Sequence, residues 1–130
     1  FASGTTNMIY IIRILLDNII KHSGKTNQER NIIIKSDFVN DTTLALSVSN
    51  DFNPKLRETI ETNLSVTKSK WNDKTDFTKS NIEGGSGFDK IRRILAVDMS
   101  MTNYRFDYVI SENNVSIIID FEIKFINDND

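Results

Sequence analysis

The chain alternates between two hydrophobic rhythms. Ile9, Ile12, Leu15, Leu16, Ile19 and Ile20 recur at helical spacing. Thr5, Thr6 and Asn7 offer N-caps and Gly24 a stop, so a first helix is predicted over about 8–22. The rhythm then changes to period two. Residues 31–39 place Ile32, Ile34 and Phe38 on one face with Lys35 and Asp37 on the other, and in 44–50 Leu44, Leu46 and Val48 alternate with Ala45, Ser47 and Ser49. The polar run 40–42 turns between these two strands. Pro54 suits the first turn of a second helix to about residue 64. Residues 65–86 are polar with little periodicity, which predicts a lid or a partly disordered loop. A third helix is predicted from Gly87 to Met99. Two closing strands follow, one facing with Tyr104, Phe106, Tyr108 and Ile110, the other with Ile117, Ile119, Phe121, Ile123 and Phe125. Asn113-Asn114 is the expected hairpin turn, since Asn tolerates positive φ.

Two-sided strand faces predict an α/β fold: a two-layer α/β sandwich with a mixed, mostly antiparallel sheet and helices on one face. With 130 residues the chain holds one domain, taken as 1–126, and 127–130 should fray as a tail. The net charge of −2 argues against a nucleic-acid platform. No cysteine is present, which excludes disulfides and thiolate metal sites and fits a cytoplasmic location. One histidine excludes a His-rich metal cluster. The longest apolar run, 9–20, is broken by Arg13, Asp17 and Asn18 and is too short for a bilayer, so no membrane contact is expected. The chain opens on Phe1 and reads as the C-terminal piece of a longer protein.

Three motifs carry chemistry. On the first helix Ile14, Asn18, Lys21 and His22 form one stripe, passing from apolar to carboxamide to cation. A solvated helix end, with cations complementing the dipole, would carry the same residues. At the end of the second strand, alternation turns Asn50 toward the core, where a polar group needs a partner, and sends Asp51 to the opposite face. A strand-end asparagine entering a turn is the alternative. The third motif is residues 83–95, where Gly84, Gly85 and Gly87 precede an apolar helical face starting at Phe88. Such a turn lets backbone N–H groups approach an anion, or serves as a hinge.

In this order the motifs resemble the nucleotide-binding domain of the GHKL superfamily, which includes DNA gyrase B, Hsp90, sensor histidine kinases and MutL. The chain is most similar to the ATP-binding domain of sensor histidine kinases of the LytS and AgrC type. The resemblance implies the Bergerat fold, with ATP and Mg²⁺ as cofactors. It implies that Asn18 ligates Mg²⁺, that Asn50 accepts a hydrogen bond from adenine, and that Gly85 and Gly87 flank the phosphates beside Phe88. Lys21 and His22 would line the same cleft, Ser116 would sit near adenine, and the lid over 65–86, with Trp71, Lys68, Lys70, Lys74 and Lys79, would close over the phosphates. Where hydrolysing members carry a general-base glutamate, this chain has Ile14, so direct hydrolysis is not expected. The glycines that follow the adenine-binding position in the family are replaced by Phe52-Asn53-Pro54. The implied function is to present Mg·ATP to a phosphoacceptor on a separate helical domain. An ATP-gated switch and a degenerate interaction module are the competing expectations, and the oligomeric state is left open.

Overall fold

The computed structural model describes residues 2–25, 31–73 and 87–123. Its elements are helix α1 (Ala2–His22), strands β1 (Ile32–Phe38) and β2 (Thr43–Asp51), a 3-10 turn (Pro54–Leu56), helix α2 (Arg57–Asp73), helix α3 (Gly87–Arg93) with a wider π-helical continuation (Ile94–Asp98), and strands β3 (Tyr104–Ile110) and β4 (Asn114–Glu122). The sheet order is β1-β2-β4-β3, and all three pairings are antiparallel. The helices pack on one face, giving the two-layer α/β sandwich that the strand patterns predict.

Helix α1 begins at Ala2, so Thr5, Thr6 and Asn7 lie inside it rather than capping it. The buried stripe is Ile11, Leu15 and Ile19, whereas Ile9 and Ile20, expected in the interface, are exposed. This turn of the helix brings Asn18 toward the interior edge. The helix stops where Gly24 adopts φ +68°, and a Cβ there would stand 2.5 Å from Leu56 Cδ1. Asn53 N donates to Ser23 O at 2.8 Å, which ties the end of α1 to the segment leaving β2.

On the helix side of the sheet, Leu46 and Val48 of β2 stand opposite Ile119 and Ile117 of β4, with Phe106 and Tyr104 of β3 beside them, nearly all fully buried. The β1–β2 turn is closed by Asn40 Oδ1, which accepts from the N–H groups of Thr42 and Thr43, each at 2.9 Å. The β3–β4 turn is centred one residue earlier than expected, on Glu112-Asn113, with Ser111 N donating to Asn114 O at 2.8 Å. Neither residue has positive φ; among the described non-glycine residues that conformation occurs at Ser100, φ 52°, where α3 ends.

The largest departure from the sequence pattern is α2. Asn53 caps its 3-10 entry through Oδ1 to Lys55 N at 3.1 Å, and the helix then runs to Asp73. Residues 65–73 are therefore helical, not loop. Leu64, Thr67 and Trp71 fall on its inner face, and Trp71, only 1% exposed, packs edge-on to Tyr104 at 5.8 Å and tilted on Phe106 at 5.2 Å. Lys68, on the outer side, pairs with Asp107 of β3 at 2.9 Å. Residues 74–86, including Lys74, Lys79, Gly84 and Gly85, lie outside the described residues, as does the tail 127–130.

Candidate functional site

Helices α1 and α2 stand apart over the middle of the sheet, and between them opens a cleft of about 900 Å³. Its floor is Asn50, Val115 and Ile117, from the adjacent strands β2 and β4. Ile19 forms one wall, and Ile60, Leu64 and Thr67 of α2 form the other. Val115, Ile117, Ile19 and Leu64 are buried, so this end is a dry, apolar slot. Phe88, at the start of α3, lines the cleft and packs edge-on to Phe106 at 5.1 Å.

Asn50 is the polar group of the slot's floor, 3% exposed. Its Nδ2 donates to the Asp51 carbonyl at 2.8 Å. That bond uses one of the two N–H donors and fixes the amide's orientation, with the amide oxygen as the atom able to meet a ligand donor. Asp51 itself stands on the opposite face of the sheet, as alternation requires. It accepts from Asn31 N at 3.1 Å and Asn31 Nδ2 at 3.3 Å and lies 3.8 Å from Lys25 Nζ. The Asn31 backbone bond, aided by the Asn31 side chain and Lys25, holds its carboxyl below the usual range despite some burial. Asp51 braces the floor from outside and does not enter the cleft.

The mouth has the opposite character. Lys21 and His22 from α1, Lys70 from α2 and Lys90 from α3 border it, together with Asp17 and Asp89. Asn18 lies between mouth and slot. Its Nδ2 is buried without a hydrogen-bond partner among the described residues. An unpaired buried amide costs about 1–3 kcal/mol, a cost that a bound ligand would relieve. Gly87 abuts it: a Cβ on Gly87 would lie 2.7 Å from Ile14 Cγ2, 3.0 Å from Asn18 Nδ2 and 3.1 Å from Asn18 Oδ1. Only a residue without a side chain lets the start of α3 approach this closely.

The fold thus gathers Asn18, Lys21, His22, Asn50, Gly87 and Phe88 around one cleft. Gly85 lies outside the described residues. Ser116 is not brought to the cleft. It is paired with Ser49 on the far face of the sheet, the two hydroxyl oxygens 2.7 Å apart, because β4 alternates and Val115 and Ile117 take the helix side. Ile14 does line the cleft, with an alkyl side chain that can neither take a proton nor orient water. The second half of α2, with Thr67 and Lys70, is the part sequence reasoning missed as ordered structure. Its signal was the spacing of Ile60, Leu64, Thr67 and Trp71, one inward residue per turn.

A protein-family model described as the y4jQ C-terminal putative histidine kinase domain matches residues 1–125. The chain belongs to this family. It is a kinase-like domain of the ATP-binding type. Solved structures agree on the fold. The nucleotide-free catalytic domain of the histidine kinase ThkA (TM1359), in its isopropanol form, superimposes with a TM-score of 0.53 at 21% identity, over 90% of this chain and 66% of that one. Its 1,2-propanediol form gives 0.51 at 21% identity, over 90% and 67%. The chain therefore spans about two thirds of the ThkA catalytic domain. No curated protein matches the sequence. Among the described residues no helix is long and apolar enough to cross a membrane, and no three His, Cys, Asp or Glu residues cluster as a metal site.

Proposed function

We propose that the cleft binds ATP with Mg²⁺, the base in the slot and the phosphates at the mouth, for transfer of the γ-phosphoryl group to a phosphoacceptor on a separate helical domain. The observation that carries the reading is the pair of asparagines in one cleft. Asn50 offers an oriented acceptor at the dry end, suited to the exocyclic amine of adenine. Asn18 keeps an unpartnered amide NH₂ at the wet end, a donor suited to a phosphate oxygen, against a backbone that admits no side chain. A neutral acceptor recognises an amine less strongly than a carboxylate, by about 1 kcal/mol.

The residues at the mouth fit a magnesium ion held jointly with phosphates. Asn18 Oδ1 would supply one hard, neutral oxygen while its Nδ2 donates to a phosphate, and an ion that keeps several waters needs little more from the protein. When bound, the ion neutralises phosphate charge. The chain's own part is positioning. Lys21, Lys70 and Lys90 attract the polyanion, Phe88 and the α2 wall exclude water from the base, and Gly87 lets the start of α3 seat against Asn18.

Phosphoryl transfer depends mainly on such positioning and electrostatics, so Ile14 does not impair a kinase role, whereas it removes the base needed for hydrolysis. The same residue favours a second reading, a switch that responds to ATP without turning it over. A domain drawing on the ATP pool would work in the cytoplasm. Calorimetric titration with ATP, with and without Mg²⁺, tests the reading. The expected result is saturable one-to-one binding that weakens at least several-fold when Mg²⁺ is chelated. Absence of ATP binding at millimolar concentration would make the chain a degenerate interaction module.

A further inference from the structure

The exposed edge of β1 is unlike the rest of the surface. Ten large apolar side chains are exposed among the described residues, and four of them, Ile33, Ile34, Phe38 and Val39, fall within seven consecutive positions. The strand pairs with β2 on one side, and its other side has no strand beside it among the described residues. It carries no proline, and the helices leave its helix-side residues Ile34 and Phe38 42% and 57% exposed. An open, apolar edge of this kind is a template for strand pairing.

The sequence of the edge says what fits it. Consider a second β1 laid antiparallel with Ser36 opposite Ser36. On the helix side Ile34 then meets Phe38 of the other copy, twice over by symmetry. On the outer side Lys35 meets Asp37, again twice, and Ile33 meets Val39 just beyond the strand. Each of the four exposed apolar residues finds an apolar partner and each charge of the strand an opposite one. Moving the register by one pairing step either way sets Lys35 against Lys35 or Asp37 against Asp37, so this register is selected strongly. Within one copy Lys35 lies opposite Ser47 and Asp37 opposite Ala45, and neither forms an ion pair among the described residues. Their charges are available to a partner.

We infer that β1 is a self-complementary edge through which two copies of this chain pair, building one eight-stranded antiparallel sheet around a two-fold axis at Ser36. Such an interface is isologous: one patch serves both partners. The cleft is floored by Asn50, Val115 and Ile117 and walled by α1 and α2. It stays open in the pair, so pairing is independent of nucleotide.

The test uses two charge reversals, Lys35→Asp and Asp37→Lys, in sedimentation velocity over a range of concentrations. Wild-type chain should pass from monomer to dimer as concentration rises. Each reversal turns two attractions into two repulsions and should weaken the dimer roughly tenfold or more. Mixing the two variants should restore a species of twice the monomer mass. In that mixed pair, positions 35 and 37 are both carboxylates in one copy and both ammonium groups in the other, so each cross-strand contact is again attractive. Circular dichroism of each variant should match the wild type, since both side chains are exposed. A wild-type monomer at every concentration would overturn the inference and leave the edge to a strand of another protein. A dimer indifferent to both reversals would also overturn it, by placing the contact elsewhere.

Discussion

At the closed end of the cleft Asn50 is buried and already bonded to the Asp51 carbonyl, while nearer the mouth the amide nitrogen of Asn18 is buried with no partner among the described residues. Both asparagines stand on regular elements of the same domain. One belongs to the stable body of the fold, with its floor, its α2 wall and the aromatic packing of Trp71 behind it. The other is held ready at a local cost, beside Gly87, where a Cβ would lie 3.0 Å from its Nδ2. Fold and site compete at the second and cooperate at the first. Substitutions at the closed end should therefore weaken ATP and adenosine together, and substitutions at the mouth should weaken Mg·ATP while sparing adenosine.

The largest test is Trp71→Ala. If the second half of α2 is a core wall, losing this side chain should cost about 3–5 kcal/mol in denaturant unfolding. A loss below about 1 kcal/mol would mean that residues 65–73 behave as the lid their polarity suggests.

Gly87→Ala comes next. The added methyl must displace Ile14 or Asn18, and overpacking of this kind typically costs about 1–3 kcal/mol. Mg·ATP affinity should fall about tenfold with adenosine affinity nearly unchanged, read by calorimetry. Equal loss for both ligands would erase the distinction between the two ends.

Asn50→Ala removes the base acceptor and the bond to Asp51. It should weaken ATP and adenosine alike, by several-fold, and lower stability by about 1 kcal/mol. Adenosine binding that survives the substitution unchanged would move the base out of the slot.

The smallest expected effect is with pH. Asp51 under the floor and Asp107, which holds Lys68 of α2, both have carboxyls below their usual range. The main causes are the Asn31 backbone bond for the first and the Lys68 bond for the second. A depressed carboxyl contributes stability above its unfolded-state pKa and loses it as pH falls through the folded value. Stability should therefore hold near neutrality and decline below about pH 4, and Asp51→Asn should flatten part of that decline. An unchanged acid profile in Asp51→Asn would show that the brace contributes nothing measurable.

Much of this arrangement was legible in the sequence, and the misses have physical causes. Alternation along β2 turned Asn50 inward and Asp51 outward because a strand buried on one face leaves no other choice. The same rule applied to β4 puts Ser116 outward, between Val115 and Ile117. Its expected place near the base rested on family likeness and conflicts with that local alternation. Residues 65–73 read as loop because a helix covering a mostly aromatic patch needs few apolar side chains. Leu64, Thr67 and Trp71 suffice, since one tryptophan covers the area of several smaller residues. The threonines near Ala2 looked like caps because a cap and an exposed helical threonine are the same letter. β1 has the pattern of a half-buried strand, yet Ile34 and Phe38 on its apolar face are exposed. The pattern cannot tell which strand lies at the edge, beyond the reach of the helices.

The most direct measurement compares Asn18→Ala with wild type by titrating each with Mg·ATP and with adenosine, alongside its unfolding curve without ligand. Mg·ATP affinity should fall tenfold or more, and adenosine affinity should stay within about twofold. Ligand-free stability should be unchanged or raised by up to ~1 kcal/mol, because an unpaired buried amide has been removed. Unchanged Mg·ATP affinity, or parallel loss of ATP binding, adenosine binding and stability, would contradict a mouth held ready for Mg·ATP at the expense of the fold.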